Sequence, residues 1–300
     1  MVIKKIIGLV AAPYTPMKED GNVNTGIIKK YADKLKGDRL KGVFVCGTTG
    51  EGMFMTSEER MEVAKSWIAE QTEEFRVIVH VGTTSVRQSF ELAHHASLQG
   101  ANAVGCMGPM FLRPSTVKSL VDYCAEVASG APGLPFYYYH IPSVSGIELP
   151  MNEFITEAER AIPNLAGIKF TDNNFMDMQK CLELDNGKWD ILNGFDEMLL
   201  SGLAVGARGA VGSTYNFMAS LYYDMIDDFR NGDFEAARKK QARSIQVIEV
   251  LNKYGGGISA GKAFMKETGI DCGPCRLPLK NVAEADYKDL ISELKSLDII

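Results

Sequence analysis

The residue whose type conflicts most with its surroundings is a lysine. Lys169 stands in Asn164-Leu-Ala-Gly-Ile-Lys-Phe-Thr-Asp172, at the end of an otherwise apolar run. Lysine is almost never fully buried without a partner or a task. Loss of water disfavours its ammonium form, so a lysine here is expected to be less basic and to attack a carbonyl as the neutral amine, forming a Schiff base. The segment alone leaves a second reading open, in which Lys169 pairs with Asp172 or points outward at the rim of a sheet.

Other segments offer groups that such a lysine needs. Phe136-Tyr137-Tyr138-Tyr139-His140-Ile141-Pro142 closes the preceding apolar run. Consecutive strands are commonly neighbours, so Tyr139 can lie beside Lys169, and a phenol next to an amine can relay protons. Alternation sends every second aromatic to one face, so Phe136, Tyr137 and Tyr138 read as core. His140 adjoins this pair and stays an open candidate. His80 falls within a predicted strand and His94 and His95 on a predicted helix, which points to structural roles.

The turn Cys46-Gly47-Thr48-Thr49-Gly50-Glu51-Gly52 exposes backbone amides at its glycines and carries two hydroxyls, a cradle suited to a carboxylate or a phosphate. An ordinary strand-to-helix turn can look the same. It lacks the Lys-Ser/Thr continuation of a nucleotide loop, and Gly206-x-x-Gly209-x-x-Gly212 has the wrong spacing for a dinucleotide fingerprint. In Asn193-Gly194-Phe195-Asp196-Glu197 two adjacent acids can accept hydroxyls of a polyol or begin a helix at its positive end. Gly212-Ser213-Thr214-Tyr215-Asn216 adds a small polar loop. Uncharged hydroxyls, one lysine and two acids, with no metal-ligating cluster, suit a small hydroxylated substrate bearing a carboxylate. Cys272-Gly-Pro-Cys275 has no second pair and no nearby histidine to complete a zinc site, and reads as a turn between two buried thiols.

These groups must be positioned by a frame, and the frame is rhythmic. Apolar runs at 7–11, 42–46, 77–81, 103–107, 135–139, 165–170, 189–192 and 207–211 alternate with amphipathic stretches. Each run is continuous rather than alternating, as expected of strands covered on both faces. Thr56 with Glu59 and Ser85 with Gln88 match the capping box that opens a helix. Eight strand–helix units predict an α/β fold, a (β/α)8 TIM barrel whose active site lies at the carboxyl ends of the strands. Past residue 230 only helical patterns follow, at 234–253, 259–268 and 283–297, the first ended by Gly255-Gly256-Gly257. The predicted organisation is therefore a barrel over 1–230 carrying the site and a C-terminal helical extension over 231–300.

Composition narrows the function further. With 300 residues, 46% hydrophobic and 23% charged, the chain can bury a large core, which excludes disordered and fibrous classes. A net charge of −6 without a basic run gives no footprint for nucleic acid or an anionic membrane. Six scattered cysteines do not form a disulfide framework, so a reducing, cytoplasmic setting is expected. Lys4 and Lys5 before the apolar run 6–12 superficially suggest a leader. That run stops at Pro13 and reads as a buried strand, and no apolar stretch reaches the ~18 residues of a membrane span.

Taken in order, Gly47-Thr-Thr-Gly-Glu51, Tyr139-x-Ile-Pro142, Gly167-Ile-Lys169 and the Gly212-Ser213 loop resemble the pyruvate-dependent class I aldolases, the family that contains dihydrodipicolinate synthase, over essentially the whole chain. Dihydrodipicolinate synthases carry an arginine in the segment Pro142-Ser-Val144-Ser-Gly146 to hold a second carboxylate. Val144 stands there, and an uncharged side chain cannot make that contact. Gly194-Phe-Asp196-Glu197 and Gly212-Ser213-Thr-Tyr-Asn216 are similar to the sugar-binding loops of the branch acting on sialic acid.

The resemblance implies reversible cleavage of N-acetylneuraminate to N-acetylmannosamine and pyruvate, or of another 2-keto-3-deoxy sugar acid. It implies Lys169 as the Schiff-base residue, Tyr139 as proton relay, Thr48 and Thr49 on the pyruvate carboxylate, and Thr171 placing the sugar. Asp196, Glu197 and Ser213, with backbone groups of Gly194 and Gly212, would hold the polyhydroxyl tail. It implies no metal or organic cofactor and a homotetramer. Members that use a tyrosine from a neighbouring subunit carry it where this chain has Phe111, which has no hydroxyl.

Overall fold

The computed structural model describes residues 3–298. Eight strands pair in parallel, each with the next, and the last returns to the first, closing a barrel. They are β1 (Gly8–Ala11), β2 (Gly42–Val45), β3 (Arg76–His80), β4 (Ala103–Cys106), β5 (Phe136–His140), β6 (Leu165–Phe170), β7 (Asp190–Asn193) and β8 (Gly209–Gly212). Every one falls within two residues of the apolar run that predicted it. The first eleven residues include β1 at the predicted place, packed between β2 and β8.

The helices in chain order are α1 (Ile28–Gly37), α2 (Ser57–Ile68), α3 (Val86–Leu98), α4 (Val117–Ser129), α5 (Pro142–Ser145), α6 (Met151–Ala161), α7 (Phe175–Gly187), α8 (Leu199–Ala204) and α9 (Tyr215–Arg230). After these come α10 (Phe234–Lys253), α11 (Gly256–Phe264) and α12 (Glu284–Ser296). Thr56 and Glu59 form the reciprocal capping box expected at α2. At α3 Ser85 accepts from the Gln88 amide, but Gln88 returns no bond, so that end is an N-cap and not a box. The glycine triplet after α10 does not merely stop a helix: Gly255 is left-handed, at φ 105°, and Gly256 begins α11.

Side chains sort into two shells. Val10, Phe44, Ile78, Tyr137, Tyr139, Leu192 and Val211 fill the barrel interior, while Leu9, Val43, Val45, Tyr138, Ile168 and Phe170 face the helices. Strict alternation from Ala166, an interior residue, would turn Lys169 outward. A register shift prevents this: Phe136 pairs with Leu165, but Tyr137 pairs with Gly167, so β6 carries one extra residue. Such an irregularity exchanges the two faces of a strand beyond it. Gly167 permits it, because a Cβ there would lie 1.8 Å from the Asp190 carbonyl oxygen. The result places Lys169 opposite Tyr139 and inside the barrel.

Candidate active site

Lys169 is 4% exposed. Its Nζ lies 4.1 Å from the Tyr139 ring centre and 4.5 Å from that of Phe44. Among the described residues no carboxylate comes within 4 Å of this nitrogen. The alternative pairing with Asp172 does not occur; Asp172 faces His140, whose Nε2 is 3.7 Å from its Oδ2. That histidine holds the Asp172 carboxyl below its usual value. His140 points away from the interior, against Tyr138 and Phe170.

The glycine-threonine turn after β2 faces the lysine across the mouth. Cys46 and Glu51 both adopt left-handed backbone, at φ 58° and 55°. Between them the chain folds back, Glu51 N donating to Thr48 O at 3.0 Å and Gly52 N to Gly47 O at 3.0 Å. A Cβ on Gly52 would stand 1.9 Å from the Cys46 carbonyl oxygen, so this closure requires glycine. Thr15 Oγ1 donates to Gly50 O at 2.6 Å from the neighbouring β1 loop. The fold-back presents Thr48 and Thr49 to the cavity, with Thr48 Oγ1 3.4 Å from Tyr139 Oη.

Below this turn lie His80, expected to be structural, and Arg60, which the sequence did not single out. Arg60, on α2, is 3% exposed and donates to the carbonyls of His80 at 2.7 Å and Gly82 at 3.0 Å. His80 sits at the end of β3, its ring edge-on to Tyr139 with centroids 5.8 Å apart. Burial first, then the Arg60 charge, holds the His80 imidazole well below its usual value, so it is neutral. His94 stacks on Phe90, away from the mouth.

The opposite wall comes from β6, β7 and β8. Asp196 opens the short turn before α8, is 5% exposed, and accepts through Oδ2 from Thr214 N at 2.8 Å and Thr214 Oγ1 at 2.7 Å. Its Oδ1 has no partner, and neither does the buried Oγ1 of Thr171. Burial pushes the Asp196 carboxyl up to about 6, against the pull of its Thr214 bonds. Two glycines make room for these groups. A Cβ on Gly194 would lie 1.9 Å from Thr171 Oγ1, and one on Gly212 would lie 1.8 Å from Asp196 Oδ1.

All ten predicted residues line one cavity of about 210 Å³: Thr48, Thr49, Tyr139, Lys169, Thr171, Gly194, Asp196, Glu197, Gly212 and Ser213. Asp196 and Glu197 form the first turn of a short helix, as the second reading of that pair expects, and both also line the cavity. The sequence missed the roof. Ile248 and Leu251 of α10 and Gly257 of α11 complete the cavity, on helices that carry no chemistry-bearing motif. In the Cys272–Cys275 turn Cys272 is buried but Cys275 only partly so, which corrects the expectation of two buried thiols. Phe111 lies on the loop after β4 and is 85% exposed.

The sequence profile of the dihydrodipicolinate synthetase family matches residues 5–297. N-acetylneuraminate lyase of Homo sapiens is 40% identical over 301 aligned residues, covering 99% of this chain and 94% of that protein. Among solved structures, Proteus mirabilis N-acetylneuraminate lyase superposes with a TM-score of 0.96 at 40% identity, over 99% of this chain and all of that one. A Ruminococcus gnavus sialic acid aldolase, described as a catalytic lysine mutant, superposes with a TM-score of 0.91 at 26% identity, over 97% of this chain and 96% of that one.

Proposed function

The chain belongs to the dihydrodipicolinate synthetase family, and from that premise we propose that it is a class I aldolase that reversibly cleaves N-acetylneuraminate to N-acetylmannosamine and pyruvate. The observation that carries this reading is the placement of Lys169: a buried amine without a carboxylate partner, facing hydroxyls on one wall and acids on the other. The similar proteins named above act on sialic acid by their own names, and one of them is credited with a catalytic lysine.

In this reading the Lys169 amine adds to the keto carbon of the substrate and water leaves, giving a protonated imine. Hydroxyl and amide groups of Thr48 and Thr49 hold the neighbouring carboxylate. Tyr139, within 3.4 Å of Thr48 and over the amine, takes the proton from the hydroxyl whose carbon is to become an aldehyde. The carbon–carbon bond then breaks, its electron pair passes into the imine, and the resulting enamine is protonated and hydrolysed to pyruvate. Asp196 Oδ1 and Thr171 Oγ1, both lacking a partner, accept and donate to the sugar hydroxyls with Glu197, Ser213 and the backbone of Gly194 and Gly212. Val144, half-exposed near the mouth, presents no charge for a second carboxylate.

We further propose that residues 1–230 and 231–300 are a barrel and its helical extension, and that the enzyme is a cytoplasmic homotetramer. Six free cysteines suit a reducing compartment. Phe111 and Leu112, 85% and 80% exposed on one loop, are the kind of adjacent apolar pair that a second copy covers. Turnover of N-acetylneuraminate compared with 2-keto-3-deoxygluconate tests the substrate. Preference for the former supports this reading, and turnover of the latter alone assigns the site to another sugar acid.

A further inference from the structure

The anion turn is tied to the C-terminal helices by a buried ion pair that the chemistry above leaves without a task. Lys262 of α11 and Glu51 are 1% and 2% exposed, and Lys262 Nζ lies 2.7 Å from Glu51 Oε1. Both charged groups have further partners. Lys262 Nζ also donates to Pro274 O at 2.7 Å, and Glu51 Oε2 accepts from Arg276 N at 2.7 Å. The Arg276 side chain continues the fastening, donating to Gly21 O at 2.7 Å, to Phe54 O at 2.9 Å and to Glu59, the capping residue of α2.

Glu51 is poorly suited to its backbone conformation. At φ 55° and ψ 29° it is left-handed, where a residue other than glycine costs of order 1 kcal/mol or more and persists only if surroundings over-determine it. The surroundings here are Lys262 and Arg276, more than 200 residues away in sequence. Through the bond from Glu51 N to Thr48 O, whatever fixes Glu51 also fixes the threonine that faces Lys169. A charge pair desolvated to this degree contributes little net stability compared with an apolar pair of the same shape, so positioning is the use that the geometry favours.

We propose that Glu51 and Lys262 are positioning residues for the keto-acid carboxylate: the C-terminal helices, through this pair, set the place of Thr48 and Thr49 and hence the affinity for pyruvate. The proposal rests on the aldolase reading above. The test is borohydride trapping of the full-length enzyme over a pyruvate series, with KM for N-acetylmannosamine measured alongside in the synthetic direction. The variants are Glu51→Gln, which keeps the shape, and Glu51→Gln/Lys262→Met, which removes both charges together.

The expected result is folded protein whose half-saturation by pyruvate rises about tenfold or more, the size of one lost charge-assisted bond, while KM for the aldehyde sugar changes less than about twofold. Folded variants with unchanged half-saturation by pyruvate, or with both constants raised alike, overturn the proposal. Loss of folded protein in both variants assigns the pair to folding and overturns it as well. If the unmodified enzyme itself forms no adduct, the aldolase reading fails first, so the two failures are distinguishable.

Discussion

Lys169 and Tyr139 are register partners on adjacent strands, with the lysine nitrogen 4.1 Å from the centre of the phenol ring. Directly paired side chains on one face of a sheet are as close as two strands can bring them. The arrangement gives the amine an aromatic wall and sets the phenol hydroxyl 3.4 Å from Thr48 Oγ1, where the proposed carboxylate site lies. It also sets up separable consequences for substitution.

In the proposed reaction, removing the amine removes the covalent step. Lys169→Ala is expected to lose more than about a thousandfold in kcat, as when other covalent nucleophiles are deleted. The fold persists, because Lys169 makes no ion pair among the described residues that folding must preserve. Lys169→Met, which fills the space without an amine, is expected to melt at or above the temperature of the unmodified protein, since a buried amine without a carboxylate partner is costly. Turnover assays and thermal melts of both variants check this.

Removing only the phenol hydroxyl spares the nucleophile. Tyr139→Phe should lower kcat by roughly 100- to 10,000-fold, the range for a lost general acid–base group, with KM for N-acetylneuraminate changed far less. The ring still packs edge-on against Phe44, whose centroid lies 5.4 Å away. An unchanged kcat removes Tyr139 from the proton relay.

The glycines opposite the lysine test the proposed sugar-binding wall. A methyl group at Gly194 would overlap Thr171 Oγ1, and one at Gly212 would overlap Asp196 Oδ1. Gly194→Ala and Gly212→Ala are each expected to raise KM for N-acetylneuraminate by about tenfold or more, at a stability cost of ~1–3 kcal/mol from overpacking. Pyruvate trapping at Lys169 should proceed nearly as before. Equal loss of sugar and pyruvate binding would mean that the two walls are not separate.

The raised Asp196 carboxyl predicts a pH dependence. Its ordinary value in an unfolded chain is about 4, and burial brings it to about 6 in the folded protein. The folded state therefore holds this proton more tightly, so its contribution to stability is full below about 4 and is lost as pH rises toward about 6. In the proposed reading sugar hydroxyls donate to the ionised form, so KM for N-acetylneuraminate should fall as pH rises through about 6. A pH series with Asp196→Asn checks the assignment: the inflection near 6 should vanish, and its persistence would assign it to another group.

Much of this site was legible before any coordinates. Continuous apolar runs located eight strands, because strands sandwiched between helices and a barrel interior leave no room for polar alternation. Groups at the strand ends then had to converge on one rim. What could not be read depended on contacts remote in sequence. The register shift at Ala166 and Gly167, which turns Lys169 inward, depends on pairing with β5 and on the close approach of the Asp190 carbonyl that only a glycine allows. The pairing of Glu51 with Lys262 spans 211 positions. Ile248, Leu251 and Gly257 reach the cavity because α10 and α11 pack over the mouth, and their residue types carry no signal for that. His140 looked close to the site in sequence, yet alternation along β5 sends it to the outer shell.

The central claim is that the buried amine of Lys169 joins covalently to a keto acid. Incubation with pyruvate and borohydride, followed by peptide mass mapping, tests it in one step. The account predicts a single reduced pyruvyl adduct on the peptide containing Lys169, absent in Lys169→Ala. A lack of any adduct, or an adduct confined to other lysines, would contradict it.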